Sequence, residues 1–182
     1  VRPWKDGARV DATVDLGNSS GGRFKDLYLS CGASLGGTAA ANHLDDYEEG
    51  SWTPRYTASS GGNIGGSQVV NAVYTKIGNI VTVEFYLYVS NTSVSGLSGN
   101  VYISGLPFTA TGLAAPSPVR TTDDINLYGA FTNAPTMAAA SGSTLFLFKQ
   151  RSGQVEQFLQ VGDFVAAGGN RNLVWIKHVY LA

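Results

Sequence analysis

The sequence predicts an all-β protein: an antiparallel β-sandwich head, jelly-roll-like in its strand pattern, carried on a short β stalk. Three observations predict it. Residues 80–89 alternate strictly, with Val81, Val83, Phe85, Leu87 and Val89 on one face, the period-2 pattern of a half-buried strand. Glycine is abundant, 23 of 182 residues, and Gly/Ser/Asn clusters punctuate the chain at the spacing of about 8–12 residues common in sandwiches. No internal repeat at a solenoid or propeller period is present.

Composition excludes several function classes. Charged residues make up 14% of the chain, against about 25% in an ordinary soluble domain. A formal net charge of −1 gives no electrostatic case for nucleic acid or for an anionic membrane. No apolar run is long enough to span a bilayer, and no secretory leader pattern is present. The chain opens at Val1 without methionine and contains one Met, Met137, which points to a piece of a longer protein. Its single cysteine, Cys31, excludes an intrachain disulfide. His43 and His178 lie far apart with no zinc-like ligand spacing, so no metal is expected. No cofactor is expected either: Gly61-Gly62 and Gly65-Gly66 lack a P-loop lysine and a following helix. Neither histidine has a nucleophile context such as GxSxG.

Taken in order, the chain divides into a stalk segment, 1–43, an acidic joint, 44–51, and a head, 52–182. Residues 9–16 alternate, with Val10, Ala12, Val14 and Leu16 on one face. Residues 27–35 alternate again, with Leu27, Leu29, Cys31, Ala33 and Leu35 on one side. Two such strands cannot bury their apolar faces alone, because an isolated hairpin is marginal in water. Residues 39–49 are expected to form at most two helical turns, with the acids at the end where the dipole disfavours them. In the head, strands are expected over 52–57, 69–77 and 80–89, with Gly78-Asn79 between the last two as a type II′ hairpin turn. Loops are expected at 58–68 and 90–99. Further strands are expected at 100–104, 116–121, 126–132, 136–140, 144–150, 155–161 and 173–181, with turns at 105–108 and 151–154. The last strand carries large apolar groups on both faces: Trp175, Val179 and Leu181 on one, Val174, Ile176 and Tyr180 on the other. A strand buried on both sides fits a core on one side and a neighbouring subunit on the other.

The motifs LDDYEEGSWTP (44–54), YTKIGNIVTVEF (74–85) and ISGLPFT (103–109), with GRFKDLYLS (22–30) and ASLGGTAAAN (33–42) before them, give this region a second meaning. Together they resemble the C-terminal region of bacteriophage tail fibre proteins of the marine phage type, over roughly residues 15–109. The resemblance implies an extracellular virion protein, a homotrimer joined to the rest of the tail fibre, that touches the host surface. Identical copies around a threefold axis would cover the stalk strands, and Cys31 would then face its symmetry mates.

The acidic cluster Asp45, Asp46, Glu48 and Glu49 reads as a solvated collar pairing with Lys25 or Arg23. Its spacing does not match an EF-hand loop, and a glycosidase pair would need two carboxylates converging in a groove. Trp52, Trp175, Tyr86, Tyr88 and Tyr128 are the aromatic side chains that could stack on a sugar, and for Trp52 and Trp175 a place in the core or at a subunit interface is the ordinary role. Tyr86 and Tyr88 share a face with Glu84, opposite the core face, an arrangement that suits a carbohydrate and a subunit interface equally. Strand direction puts loops 58–68 and 90–99 at the end away from the stalk, which nominates Asn63, Asn91 and Ser95 as polar contacts, with Tyr86, Tyr88 and Glu84 as the side-wall alternative. Loops 133–143 and 162–171 stand in reserve. The reading is a receptor-binding tip that recognises a host glycan or outer-membrane receptor without turnover and without inserting into the membrane. A tail-associated polysaccharide depolymerase and a purely structural trimerisation module are the alternatives.

Overall fold

In the computed structural model the described residues are 4–9, 16, 20–22, 24–30, 32–37, 39–44, 46–121, 135–150, 153, 155–164 and 171–182. Among them every regular element longer than three residues is a strand. The chain separates into two units, Val1–His43 and Leu44–Ala182.

In the first unit, β1 (Trp4–Lys5) pairs with β2 (Ala8–Arg9) across a turn. Residues 10–15 of the expected strand 9–16 lie outside the described residues, as does Cys31. The expected strand over 27–35 is not formed: only β3 (Ala33–Ser34) is extended in a ladder, and Leu27 to Ser30 are irregular and exposed. A strand needs a ladder partner for its N–H and C=O groups, and no described strand of this chain pairs with Leu27 to Ser30. The expected helix over 39–49 is also overturned. A single 3-10 turn, Ala40–Asn42, is followed by β4 (His43–Leu44). Leu35 N–H donates to Asn42 O at 2.7 Å, and Asn42 Nδ2 donates back to Leu35 O at 3.0 Å.

The second unit holds β5 (Tyr47–Ser51), β6 (Arg55–Ser60), β7 (Gly62–Asn63), β8 (Gly65–Ile77), β9 (Ile80–Ser93), β10 (Ser98–Ser104), β11 (Ser117–Thr121), β12 (Met137–Ser141), β13 (Thr144–Lys149), β14 (Gln157–Phe158) and β15 (Arg171–Leu181). They form one large curled antiparallel sheet in the order β5-β8-β9-β15-β11-β12-β13-β10-β6-β7, with β14 beside β13. The acidic stretch is therefore an edge strand, β5, laddered along β8 from Tyr47↔Ile77 to Ser51↔Val73. That ladder displaces the helix, whose C-terminal acids would have opposed its dipole.

The strand β9 behaves as its alternation requires. Val81, Val83, Phe85, Leu87 and Val89 are fully buried, while Thr82, Glu84, Tyr86 and Tyr88 point the other way and are half-buried. Each large apolar side chain so buried contributes about 1.5–3 kcal/mol. Gly78, with φ +58°, followed by Asn79 at negative φ, makes the II′ turn that joins β8 to β9.

The sheet's two ends are tied together by the chain. β5 and β6 stand near opposite ends of the strand order, yet only Trp52, Thr53 and Pro54 link them. So short a link forces the sheet to roll over its own inner face. Across that face Trp52 stands edge-on to Phe85 of β9, centroids 5.1 Å apart. Tyr56 of β6 donates to Asn172 O of β15 at 3.3 Å. At the other bend β11 changes partners: Ser117 and Pro118 pair with β12, and Val119 to Thr121 pair with β15.

Several expected loops are strands. The expected strand 52–57 begins only at Arg55 and runs to Ser60, and the expected loop 58–68 is a tight return through Gly61 into β7 and β8. The expected loop 90–99 shrinks to Val94–Leu97, closed by Leu97 N–H to Val94 O at 3.1 Å, because β9 continues to Ser93. Reserve loop 133–143 contains β12, with residues 133–134 outside the described set, and of reserve loop 162–171 residues 165–170 lie outside it. The expected strand 126–132 also lies outside it. Over 155–161 only Gln157–Phe158 is a strand. The chain then turns through a 3-10 segment, Val161–Asp163, capped reciprocally by Gln160 and Asp163. Lys149 Nζ donates to the buried Asp163 at 2.5 Å and holds this turn against β13.

Candidate functional site

The outward face of β8, β9, β15 and β11 gathers the chemistry. Register places Tyr86 opposite Trp175 and Trp175 opposite Arg120, a row across three strands. Directly opposed residues of an antiparallel pair share a face. Tyr86 meets Trp175 at 6.4 Å and Tyr88 at 6.0 Å, both edge-on at 70°. The Arg120 guanidinium lies over the Trp175 ring, 5.8 Å from its centroid, within cation–π range. One residue pair along, Lys177 Nζ stands 3.9 Å from Glu84 Oε2. Trp175 remains 45% exposed, unusually open for an indole.

A backbone irregularity completes this face. β8 carries one more residue than β9 between Val70↔Tyr86 and Val73↔Glu84, and Asn71 takes the left-handed conformation there, φ +55°. The bulge brings Asn71 beside Glu84, Phe85, Tyr86 and Trp175 around a hollow of about 220 Å³. On the other side of Trp175, Pro118, Val119, Arg120 and Lys177 border a second hollow of about 320 Å³. The indole is thus a wall shared by two hollows, one with a carboxylate and an amide, the other with two cations.

Of the residues nominated from the sequence, Glu84, Tyr86 and Tyr88 come together here. The others do not join them. Asn63 sits in β7, opposite Thr57, and its Oδ1 accepts from Thr57 Oγ1 at 2.8 Å. Asn91 belongs to β9 rather than to a loop. Ser95 is exposed in the short turn 94–97. That turn is not free of apolar anchors, because Val94 and Leu97 pack against the core. It adjoins the β6–β7 return: a Cβ on Gly61 would lie 2.6 Å from Gly96 O, and Gly61 itself has φ +97°. Both turns therefore leave little room for a ligand to reshape.

Among the described residues of the acidic stretch, Asp46, Glu48 and Glu49 find partners within their own unit. Asp46 pairs with Lys76, Tyr74 O–H donates to Glu48 at 2.5 Å, and Tyr47 O–H donates to Glu49 at 2.7 Å. Those hydrogen bonds are the first cause that holds both phenols above their ordinary pKa. Lys25 pairs with its neighbour Asp26 at 3.6 Å. Asp45 and Arg23 lie outside the described residues.

Sequence reasoning considered Trp175 as a sugar platform but assigned it to the core or a subunit interface, and it missed Arg120, Lys177 and Asn71. Trp175 shares its face with Val179 and Leu181, so parity alone separated it from the core face. Nothing in the sequence told which neighbour it would meet. An asparagine inside an apolar β run is the signal that marks Asn71, since Asn tolerates positive φ. No family model matches the chain, and no curated protein matches it.

Proposed function

We propose that the chain is the receptor-binding tip of a bacteriophage tail fibre, a homotrimer on the virion outside the cell, whose outer sheet face binds a host-surface glycan without turning it over. The observation that carries this reading is the open aromatic row Tyr88–Tyr86–Trp175, with Glu84 and Asn71 at its side. A sugar ring offers an apolar C–H face to an indole or phenol and hydroxyls to a carboxylate and an amide. Such a mixture of aromatic wall and few placed polar groups is the usual make-up of a binding site. The site stands on paired strands, which hold it rigid without a ligand.

The resemblance to marine phage tail fibres supports the same reading. A jelly-roll-like sandwich is the architecture that suits this sheet: β11 switches partners as a corner strand does, and the three-residue link at Trp52–Pro54 folds one half over the other. A trimer is supported by the apolar side chains of the first unit, such as Leu27, Leu29 and Leu35, which are exposed in a single chain. Against hydrolysis, Glu84 is the lone carboxylate lining either hollow among the described residues, whereas glycosidases use two, about 5–9.5 Å apart.

The test is adsorption of the labelled chain to a panel of marine bacterial cells. Trp175→Ala and Tyr86→Ala are expected to lose at least tenfold in binding while the melting temperature stays within a few degrees. Undiminished adsorption of both variants would move the site off this face, toward Ser95 and the adjoining turns.

A further inference from the structure

We infer that the ligand is an acidic saccharide, carrying a carboxylate or sulfate that Arg120 and Lys177 hold on one side of Trp175 while its neutral ring occupies the other side. This inference rests on the glycan reading above and adds the charge of the ligand to it.

The two hollows that share Trp175 differ in sign. Asn71, Glu84 and Tyr86 border the first; they offer donors and acceptors to hydroxyls, and Glu84 repels an anion. Arg120 and Lys177 border the second, with Pro118 and Val119 as apolar floor and no carboxylate among the described residues of its lining. Among the described residues no ion pair within 4 Å is made by Arg120, whose guanidinium rests on the indole instead. A stacked guanidinium is held in place with its N–H edge still available, and that edge matches a carboxylate or sulfate in bidentate fashion. Lys177 keeps only the loose 3.9 Å contact to Glu84 and is itself 69% exposed on its side chain. Among the described residues, the local balance of Arg120, Lys177 and Glu84 leaves one cation unmatched. A neutral sugar uses the first hollow and leaves that cation without a partner. A sugar with an anionic substituent uses both, across a single indole wall.

The experiment titrates the full chain, by tryptophan fluorescence and calorimetry, with three size-matched oligosaccharide pools: neutral dextran, polygalacturonate and dextran sulfate. At least one anionic pool is expected to bind tenfold or more tightly than dextran. Arg120→Gln should cost about tenfold against that pool and less than twofold against dextran, and Arg120→Lys should recover part of the loss. Raising salt from 50 to 300 mM should weaken the anionic pool and leave dextran unchanged, since an exposed charge pair is screened. Trp175→Phe, the milder change, should weaken all pools and keep the preference for anions.

Equal binding of dextran and the anionic pools, unaffected by Arg120→Gln, overturns the inference and leaves the glycan reading standing. Anionic binding that survives Trp175→Ala undiminished also overturns it, because the contact is then charge alone. If none of the pools binds, the inference falls, and cell adsorption by Trp175→Ala decides separately whether the glycan reading falls with it.

Discussion

His178 is buried in the inner face of β15 with both ring nitrogens occupied. Ala140 N–H of β12 donates to Nε2 at 3.1 Å, so Nδ1 carries the proton and faces Ser117 Oγ of β11 at 2.8 Å. The ring therefore ties three strands together where β11 changes partners. Burial holds its pKa below the ordinary 6.5. The unfolded chain then takes up the proton first, so stability is full above the unfolded value and is lost as pH falls below it. Protonation would also turn Nε2 toward Ala140 N–H as a second donor. The melting temperature is expected to drop between pH 7 and pH 5, and His178→Gln is expected to flatten that slope. The substitution itself should cost about 1–3 kcal/mol at pH 7, for a buried group left poorly paired. Melts of both proteins across that range, with an identical slope, would remove His178 from the explanation. None of this was legible in the sequence. His178 stood in a good strand pattern, and its partners lie 61 and 38 residues away.

Among elements, strands with a clean period of two were readable and irregular ones were not. β9 and the turn at Gly78-Asn79 followed from alternation and from a glycine-first pair, because both signals are local. β8 departs from its alternation at Asn71, where one extra residue turns the face, and a bulge leaves no mark but the asparagine. The strand expected over 155–161 failed because Asp163 finds a better arrangement in the 3-10 turn, bonded to Lys149 and to Gln160 N–H. Asn71 is the element-scale test. Asn71→Gly keeps the left-handed conformation and is expected to change stability by less than about 1 kcal/mol. Asn71→Val cannot adopt it without strain and is expected to cost about 1–3 kcal/mol. Urea unfolding measures both. Asn71→Val should also weaken saccharide binding, because the bulge shapes the hollow beside Trp175. Equal stability of the two variants would mean that the bulge relaxes freely and does not fix the site.

For the whole molecule, the decisive feature is a second, apolar part of the same outer face. Register sets Tyr47 opposite Ile77, Ile77 opposite Ile80, and Ile80 opposite Leu181, so the four side chains form one row across β5, β8, β9 and β15. Each is about half exposed. Beside the row, Val179, Leu181 and Leu113 line a groove of about 400 Å³. The sequence showed that β15 is apolar on both sides; in the single chain only the face with Val174, Ile176 and Tyr180 is covered. Contiguous exposed apolar surface usually marks an interface, and the exposed leucines of residues 27–35 make the same demand in the first unit. The expected outcome is a trimer, with a light-scattering mass three times the 19.1 kDa of one chain. Ile80→Asp combined with Leu181→Asp should loosen it, lowering the mass at micromolar concentration without unfolding the strands by circular dichroism. Trp175 lies further along β15, beyond Lys177, and should stay open in the trimer. Its fluorescence, taken as the difference from Trp175→Phe, is expected to remain quenchable by iodide. A monomeric mass for the intact chain would sink the trimer. A trimer in which Trp175 resists iodide would assign the aromatic row to the interface and take the saccharide away from it.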